Sequence, residues 1–214
     1  AGSGETVEVL SSNGEWLARA AYSPHSKIRA RIWTWDQECA VDAQFLERRI
    51  QQAAKRREAW LDSLRTSAFR LVFAEADNLP GIIVDRYQST LVVQFLSAGV
   101  EFHREQILDI LYAMPGVDGV YERSDVEVRK LEGLEARTGL CRGADPGPRM
   151  VLEESDLKLI VDIHHGHKTG FYLDQRENRR LIRDLPDKGR MLNCFSYTGA
   201  FSAAGLLGGA SEVL

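Results

Sequence analysis

Apolar and polar residues alternate along the first 35 positions of the chain. The alternation runs through TVEVL, WLARAAY and IRARIW, and the turn-forming segments SSNGE and YSPHSK separate these runs. Side chains of a strand point alternately to its two faces, so this pattern is typical of half-buried antiparallel strands. The sequence therefore predicts a small antiparallel β unit over residues 1–36.

The repeat changes to that of a helix between Val41 and Leu64. Apolar residues recur there at helical spacing, and arginine and lysine residues occupy many of the positions between them. This spacing predicts one long amphipathic helix, and we expect residues 37–65 to connect two domains. Because glutamate and aspartate accompany the basic residues, the pattern favours a solvated face with ion pairs over an RNA-binding face.

Short apolar runs that are typical of strands follow from residue 66 onward. The runs FRLVFAE, IIVDRY and TLVVQFLS are separated by the turns ADNLPG and QS, and GVYERS resembles a further strand. A helix is predicted from about Glu101 to Met114, whereas residues 133–148 are rich in glycine, proline and arginine and predict a loop. The region 66–150 is therefore predicted to be a small α+β domain.

Two further patterns follow this region. MVLEE and LKLIVDI flank Ser155 and Asp156 as the two arms of a hairpin, and the polar segment GHKTGFYLDQRENR then leads into a basic helix. We expect the hairpin and the helix to occupy residues 151–187 and to approach another domain.

An apolar strand, a hydroxyl-rich turn and a small-residue helix follow one another in RMLNCFSYTGAFSAAGLLGG. We predict the strand over Met191–Phe195 and the helix over Ala200–Leu207, ended by two glycines. In doubly wound α/β folds, the first turn of this kind is where a cofactor meets free backbone N–H groups. Gly199 is the single glycine of the turn, so the GxGxxG fingerprint is not met, and a group smaller than a pyrophosphate fits better. The amino-acid part of S-adenosylmethionine is such a group. The alternative is that this glycine serves only the packing of helix on strand.

The composition restricts the class of protein. Of the 214 residues, 44% are hydrophobic and 27% are charged, so the chain can bury a core. The formal net charge of -4 argues against coating nucleic acid by bulk electrostatics, and any RNA contact must therefore be local. No apolar run reaches membrane-spanning length and the first residues lack a secretory pattern, so we expect no membrane association and a cytoplasmic location.

The three cysteines, Cys39, Cys141 and Cys194, are far apart in the sequence and include no CxxC pair. They are predicted to be reduced thiols. Cys194 lies within the predicted apolar strand, which favours a buried and unreactive thiol over a catalytic nucleophile.

Five segments of the chain resemble the bacterial ribosomal RNA large subunit methyltransferase I family, and together they are spread over nearly its whole length. They are GETVEVLSSNGEWLARAAYSPHSKIRARIW, EADNLPGIIVDRY, YERSDVEVRKLEG, DIHHGHKTGFYLDQRENR and LNCFSYTGAFS. The resemblance implies a class I S-adenosylmethionine-dependent enzyme that methylates carbon 5 of a cytosine in 23S ribosomal RNA. It implies S-adenosylmethionine as the cofactor and ribosomal RNA as the partner, and it leaves open whether the protein forms a homodimer.

The resemblance also implies a multidomain fold of the α+β and α/β classes. Residues 1–36 would be the C-terminal part of a PUA-like β-barrel, 37–65 the connecting helix and 66–150 a middle α+β domain. Residues 151–187 would form the hairpin and approach helix, and residues 188–214 the first βα unit of a Rossmann-like methyltransferase domain. The chain would then be a fragment of a longer enzyme.

By the same resemblance, nine residues are expected to contact the cofactor. The segment that closes over it contributes Lys168, Thr169, Gln175 and Arg176, and the turn contributes Phe195, Ser196, Tyr197, Thr198 and Gly199. The nucleophilic cysteine of the family is expected beyond Leu214, so no catalytic residue is assigned and the fragment alone is predicted to be inactive. The alternative function is a non-catalytic PUA-type module for RNA binding or ribosome assembly.

The segment KIRAR suggests a local RNA contact. Residues two apart in a strand share a face, so Lys27, Arg29 and Arg31 would form a row of cations suited to phosphate groups. A solvated polar face of the sheet is the alternative, and the PUA resemblance favours the RNA contact.

Two polar clusters suggest other chemistry. The segment HHGHK contains His164, His165 and His167, but neighbouring side chains of an extended segment point to opposite faces, and we predict no metal site. Asp77 and Asp85 flank the turn in DNLPGIIVD, whose asparagine, proline and glycine favour turn formation over paired acid/base catalysis.

Overall fold

The computed structural model of the chain describes residues 1–185 and 189–214, with only the backbone described for residues 62–64. The strands of this described part are β1 (Thr6–Leu10), β2 (Trp16–Tyr22), β3 (Ala30–Thr34), β4 (Ala68–Phe73), β5 (Ile82–Tyr87), β6 (Thr90–Phe95), β7 (Gly119–Ser124), β8 (Arg137–Gly143), β9 (Met150–Glu154), β10 (Leu157–Val161), β11 (Arg190–Met191) and β12 (Glu212–Val213). The α-helices are α1 (Ala43–Leu64), α2 (Ala98–Phe102), α3 (Arg104–Tyr112), α4 (Val128–Leu131), α5 (Arg176–Asp184) and α6 (Ala200–Leu207). Short 3-10 turns occupy Ala74–Asp77 and Leu173–Gln175. Over the described residues, no helix combines the length and the apolar character that a membrane crossing needs.

The N-terminal unit is an antiparallel sheet of three strands in the order β1-β2-β3, which confirms the predicted antiparallel β unit. Within the described part of the chain the sheet is open and does not close into a barrel. Ala21 and Trp33 of this sheet are buried in the same core as the middle of the chain. A Cβ atom at Gly99 would lie 2.3 Å from the Cβ of Ala21, so the sheet packs directly on the backbone of α2.

A buried carboxylate fastens the N-terminal unit to the middle of the chain. Glu132 accepts hydrogen bonds from the Ser23 hydroxyl at 2.8 Å and from the Ala98 backbone N–H at 3.2 Å. The Arg31 guanidinium donates to the other carboxylate oxygen at 3.2 Å. Burial acts to raise the pKa of Glu132, but these donors and Ser26 outweigh it and hold the pKa below its usual value. The charged carboxylate therefore bridges the two units.

The middle of the chain forms a five-stranded sheet in the order β4-β5-β6-β7-β8. β6 and β7 run parallel, and the other neighbouring strands are antiparallel. A parallel pair needs a crossover connection, which α2 and α3 provide. The strands predicted in this region are confirmed as β4 to β7, whereas the helix predicted from Glu101 to Met114 is two helices that meet at His103.

The loop predicted over residues 133–148 is wrong in its central part, which forms the edge strand β8. This strand pairs with β7, and the register shifts between Val120 and Tyr121. Gly139 and Gly143 have φ angles of 135° and 69°, which favour glycine. Because β8 is largely exposed and lacks apolar alternation, the free edge of β7 determines its conformation more than its own residues do.

The helix α1 covers one face of this sheet. It begins after Asp42, whose carboxylate accepts a hydrogen bond from the Phe45 N–H at 2.8 Å. Its buried face consists of Phe45, Leu46, Ile50 and Ala53, which pack in one core with α3 and the sheet. The helix predicted between Val41 and Leu64 is thus confirmed, and it belongs to this core as well as linking it to the N-terminal unit.

Elements from later in the chain cover the opposite face of the sheet. Ala68, Tyr87 and Val92 point to this face and pack with the β9–β10 hairpin and α6. The hairpin is the predicted one, with its two strands paired antiparallel around Ser155 and Asp156. The sheet therefore lies between two apolar layers, which fixes the later segments relative to it.

At the C-terminal end, β11 and β12 pair in parallel and α6 connects them, as predicted for a βα unit. The strand predicted over Met191–Phe195 is wrong beyond Met191, because the strand ends there, the chain turns at residues 194–195, and Leu192 is 70% and Phe195 94% exposed. Cys194 is also exposed, so its predicted burial is wrong. Among the described residues no layer covers these apolar side chains, and an apolar run alone does not ensure burial.

Candidate cofactor site

A cavity of about 560 Å³ opens between the approach segment, residues 166–179, and the turn segment, residues 195–201. Its walls are mainly aromatic and apolar with a few polar groups, which is the usual composition of a small-molecule site. The lining residues are His167, Phe171, Tyr172, Gln175, Arg179, Phe195, Ser196, Tyr197, Thr198, Ala200 and Phe201.

The helix α6 starts at the cavity, because Ala200 and Phe201 of its first turn line the wall. Gly199 precedes the helix with a φ of 73°, a left-handed conformation that favours glycine. A Cβ atom at Gly199 would meet nothing within 4 Å, so the backbone conformation requires this glycine and a close contact does not. None of the described side chains caps the helix, and its first N–H groups are therefore available to an anionic group in the cavity.

Thr198 lines the cavity and carries a buried polar atom. Its Oγ1 is buried and has no hydrogen-bond partner among the described residues. A buried hydroxyl without a hydrogen bond costs free energy, and native proteins usually satisfy such a group with water or a ligand. Thr198 is therefore the strongest single indication that this cavity binds a ligand.

Tyr197 ties the turn segment to the approach segment. Its hydroxyl accepts a hydrogen bond from the His167 backbone N–H at 2.8 Å and donates one to the Gly170 carbonyl at 3.0 Å. Its ring stacks on the His167 ring with the centroids 4.7 Å apart. Burial raises the pKa of the phenol, which therefore stays protonated at neutral pH. These contacts hold Tyr197 at a φ of 50°, a backbone conformation that is unfavourable for a residue with a side chain.

The central sheet in turn holds the approach segment. The guanidinium of Arg123, on β7, donates to the carbonyls of Ile163 at 2.7 Å and Gly166 at 2.9 Å. A Cβ atom at Gly166 would lie only 2.7 Å from the Tyr197 hydroxyl, so the two segments meet without room for a side chain at this position. β7 thus positions one wall of the cavity through backbone carbonyls.

Thr169 lies in a buried network and not on the cavity wall. Its hydroxyl donates to Asp85 at 2.6 Å and lies 3.1 Å from the Tyr87 hydroxyl, whose pKa burial raises. Asp85 also makes a bidentate ion pair with Arg70, at 2.8 and 3.0 Å. The network therefore anchors the approach segment to β5.

Two other predicted cofactor residues do not line the cavity. Lys168 pairs with Asp174 at 3.0 Å and lies over the Tyr172 ring. Arg176 donates to the Ala68 carbonyl at 2.7 Å, and burial lowers its pKa. Gln175, Phe195, Ser196, Tyr197 and Thr198 line the cavity and Gly199 adjoins it, whereas Lys168, Thr169 and Arg176 do not line it. Cofactor contact by all nine residues remains a prediction.

Several lining residues are not among the predicted cofactor contacts, namely His167, Phe171, Tyr172, Arg179 and Phe201. Arg179 is buried, pairs with Glu154 through two contacts of 2.6 Å and lies 4.7 Å from the centre of the Phe171 ring. The dipeptide Phe171-Tyr172 offers a signal in retrospect, because aromatic residues within a polar segment need apolar surroundings.

The cation row predicted in KIRAR is not formed. β3 begins at Ala30, so Lys27 and Arg29 precede the strand and only Arg31 belongs to it. Arg31 is also engaged by Glu132 at 3.2 Å. The predicted geometry is therefore wrong, and RNA binding by these three residues remains a prediction.

The three histidines of HHGHK serve separate contacts. His164 stacks on the Tyr121 ring with centroids 4.6 Å apart, His165 lies 3.4 Å from Asp162, and His167 stacks on the turn segment. Over residues 1–185 and 189–214, no group of three or more histidine, cysteine, aspartate or glutamate side chains is placed to hold a metal ion.

Comparisons with known proteins place this geometry in a family context. Residues 1–35 match the PUA-like domain family, and residues 141–214 match the S-adenosylmethionine-dependent methyltransferase family. Two solved structures share the fold with a TM-score of 0.83. One is described as a SAM-dependent methyltransferase from Streptococcus mutans, is 24% identical and is matched over 99% of this chain and 54% of its own. The other, SMU.776, is described as a methyltransferase complexed with SAH, is 22% identical and is matched over 99% of this chain and 53% of its own.

Curated relatives named "Ribosomal RNA large subunit methyltransferase I" match nearly the whole chain. The protein from Tolumonas auensis is 50% identical over 212 residues, and the protein from Aeromonas salmonicida is 49% identical over 211 residues. Each match covers 99% of this chain and 53% of the relative, so the chain spans about half the length of these relatives. By this similarity, the chain belongs to the ribosomal RNA large subunit methyltransferase I family.

Proposed function

We propose that the protein to which this chain belongs transfers a methyl group from S-adenosylmethionine to ribosomal RNA, and that the cavity holds this cofactor. The family supports the cofactor class, because the matched region, residues 141–214, contains both segments that form the cavity. The observation that carries the proposal is the buried Thr198 hydroxyl at the start of α6, which has no partner in the described part of the chain.

The residues of the cavity fit the parts of this cofactor. Phe171, Tyr172 and Phe201 offer aromatic surface to the adenine ring and the thioether carbons. The N-terminus of α6 suits the carboxylate of the amino-acid part, and the Thr198 hydroxyl suits one of its polar atoms. S-adenosylmethionine supplies an activated methyl group when it is bound. The role of the protein at this site is to bind the cofactor, orient it and exclude water.

The proposed target is carbon 5 of a cytosine in 23S ribosomal RNA. This carbon is a poor nucleophile, and a thiolate that adds to carbon 6 activates it before a base removes the carbon 5 proton. Burial raises the pKa of Cys141 to about 11, so this thiol stays protonated at neutral pH. Cys39 and Cys194 do not line the cavity. We therefore propose that the nucleophile lies outside these 214 residues and that the chain alone transfers no methyl group.

A non-catalytic PUA-type module is the second candidate function. The match of residues 1–35 to the PUA-like domain family favours it. Such a module would bind ribosomal RNA and would not need the cavity. Cofactor binding therefore separates the two candidates.

The test is a calorimetric titration of S-adenosylmethionine into the full-length protein and its Thr198→Val variant. The substitution keeps the shape of the side chain and removes a hydroxyl that lacks a partner in the described structure, so the cofactor-free variant should be at least as stable as the parent. The loss of one hydrogen bond to the cofactor, roughly 0.5–1.5 kcal/mol, should weaken binding about twofold to tenfold.

Thr138→Val is the matched control, because Thr138 is exposed on the edge strand β8, away from the cavity. It should leave the cofactor affinity unchanged. If the parent protein binds no cofactor, the enzyme proposal is overturned and the RNA-binding module is favoured. Equal affinities of the parent and Thr198→Val would instead remove Thr198 from the site.

A further inference from the structure

A second groove lies against the approach segment. It has a volume of about 530 Å³ and is formed by the C-terminal half of α1, by β4 and by residues 173–176. We call it the aromatic-basic groove, and the lining residues that matter here are Arg56, Arg57, Trp60, Phe73 and Arg176. Tyr172 and Gln175 of the same short segment line the cofactor cavity, so residues 172–176 contribute to the walls of both.

Two large aromatic side chains of the aromatic-basic groove are exposed. Trp60 is 67% exposed and Phe73 is 50% exposed. The Arg70 guanidinium lies 5.1 Å from the centre of the Phe73 ring and holds that ring by a cation–π contact. Exposed aromatic rings in a basic groove are the platforms on which the bases of a single nucleic-acid strand stack. The groove therefore offers the aromatic surface on which the bases of a nucleic acid can stack.

The aromatic-basic groove also has an excess of positive charge. Asp77 pairs with Arg57 at 2.6 Å and with Arg56 at 3.1 Å, so one carboxylate serves two guanidinium groups. Asp174 is the one carboxylate among the lining residues, and Lys168 pairs with it at 3.0 Å. The cluster of Asp77 with its two arginines keeps one positive charge in excess, and the groove lining contains four arginines and one aspartate, although the chain as a whole has a net charge of -4. The Arg56 side chain is 50% exposed and can reach a phosphate group.

We propose that the aromatic-basic groove binds an unpaired segment of RNA, with bases stacked on Trp60 and Phe73 and a phosphate group held by Arg56. The proposal rests on the proposed function, since it names where that RNA substrate is held. The segment must be unpaired, because the bases of a duplex are stacked on each other and offer no free face. RNA held in this groove lies along the wall that the groove shares with the cofactor cavity.

The test measures the affinity of the full-length protein for a short unstructured RNA by fluorescence anisotropy. Trp60→Ala and Phe73→Ala should each weaken binding by about tenfold, the effect of losing one stacked base. Trp60→Phe retains a ring and should recover most of the affinity. Arg56→Gln should reduce the salt dependence of binding by about one phosphate contact, whereas the aromatic variants should leave that dependence unchanged.

Phe102→Ala is the matched control, because Phe102 is also exposed (56%) and lies at the end of α2, outside the groove. Cofactor affinity and thermal unfolding, measured for every variant, identify any loss that comes from misfolding. If the parent binds RNA and the groove variants bind it as the control does, the aromatic-basic groove is not the site. If the parent binds the cofactor but no RNA, the RNA substrate of the proposed function fails together with the groove.

Discussion

The hydroxyl of Tyr197 allows a direct test of how the cofactor cavity is held together. Tyr197→Phe removes the hydrogen bonds to the His167 N–H and the Gly170 carbonyl and keeps the ring that stacks on His167. Two such bonds contribute roughly 1–3 kcal/mol together. Tyr197 is 41% exposed, so water competes for its hydroxyl and the lower part of this range, about 1–1.5 kcal/mol, applies.

This free energy orders the turn segment, because it offsets the unfavourable positive φ of Tyr197. If the turn must be ordered before the cofactor binds, a loosening of about 1–1.5 kcal/mol should weaken the affinity about fivefold to tenfold. Turnover at saturating cofactor should change little, since the hydroxyl bonds to the backbone of the approach segment. Calorimetry with S-adenosylmethionine measures the affinity, and hydrogen exchange of the His167 amide reports the contact itself.

Tyr112→Phe is the control, because Tyr112 is exposed to a similar extent (43%) and lies on α3, outside the cavity lining. Faster exchange of the His167 amide with an unchanged cofactor affinity would show that binding does not require an ordered turn. Unchanged exchange would refute the hydrogen bond between the His167 amide and the Tyr197 hydroxyl.

Other buried groups lead to independent tests. Thr169→Val deletes a buried hydroxyl that donates to Asp85, and urea unfolding should show a loss of about 1.5–3 kcal/mol, as for hydrogen bonds to charged groups; an unchanged midpoint would contradict the buried network. Hydrogen-bond donors hold the pKa of Glu132 below its usual value, so the folded state takes up this proton less readily than the unfolded state. Stability should therefore fall as the pH drops from about 5 through the folded pKa, and Glu132→Gln should flatten this part of the profile; an equally steep profile would count against the carboxylate bridge. Iodoacetamide at about pH 8 should alkylate exposed Cys194 much faster than the partly buried Cys141, whose pKa burial raises to about 11, and mass spectrometry that finds equal rates would contradict the raised pKa of Cys141.

Local sequence patterns predict most helices and strands of this fold, but they do not predict the edge strand β8 or the end of the strand that begins at Arg190. The apolar positions of α1 repeat with the helical period, and the strands β4 to β7 follow one another as short runs separated by turn residues, so these elements are predictable from local sequence. β8 is not, because its pairing with β7 supplies the order that its own residues lack. The apolar run Met191–Phe195 predicts a buried strand, but burial depends on a covering layer, and a local pattern does not encode that layer.

The candidate site also has one part that local sequence predicts and another part that it does not. Its turn segment is predictable because strand, turn and helix are adjacent in the sequence. The contact between Tyr197 and His167 joins residues 30 positions apart, and the contact between Thr169 and Asp85 joins residues 84 positions apart. Such pairs exist only through tertiary packing, so a single sequence carries no local signal for them.

The central sheet has consequences for any attempt to divide the protein. Its two covering layers come from opposite directions in the sequence: α1 precedes the sheet, and the β9–β10 hairpin and α6 follow it. A chain cut at residue 150 would expose Tyr87 and Val92 to water and leave Asp85 without Thr169. Such a piece would have one apolar face of the sheet exposed and would tend to self-associate. The smallest piece that folds on its own must therefore extend through α6, which makes this part of the methyltransferase region a structural component of the middle sheet.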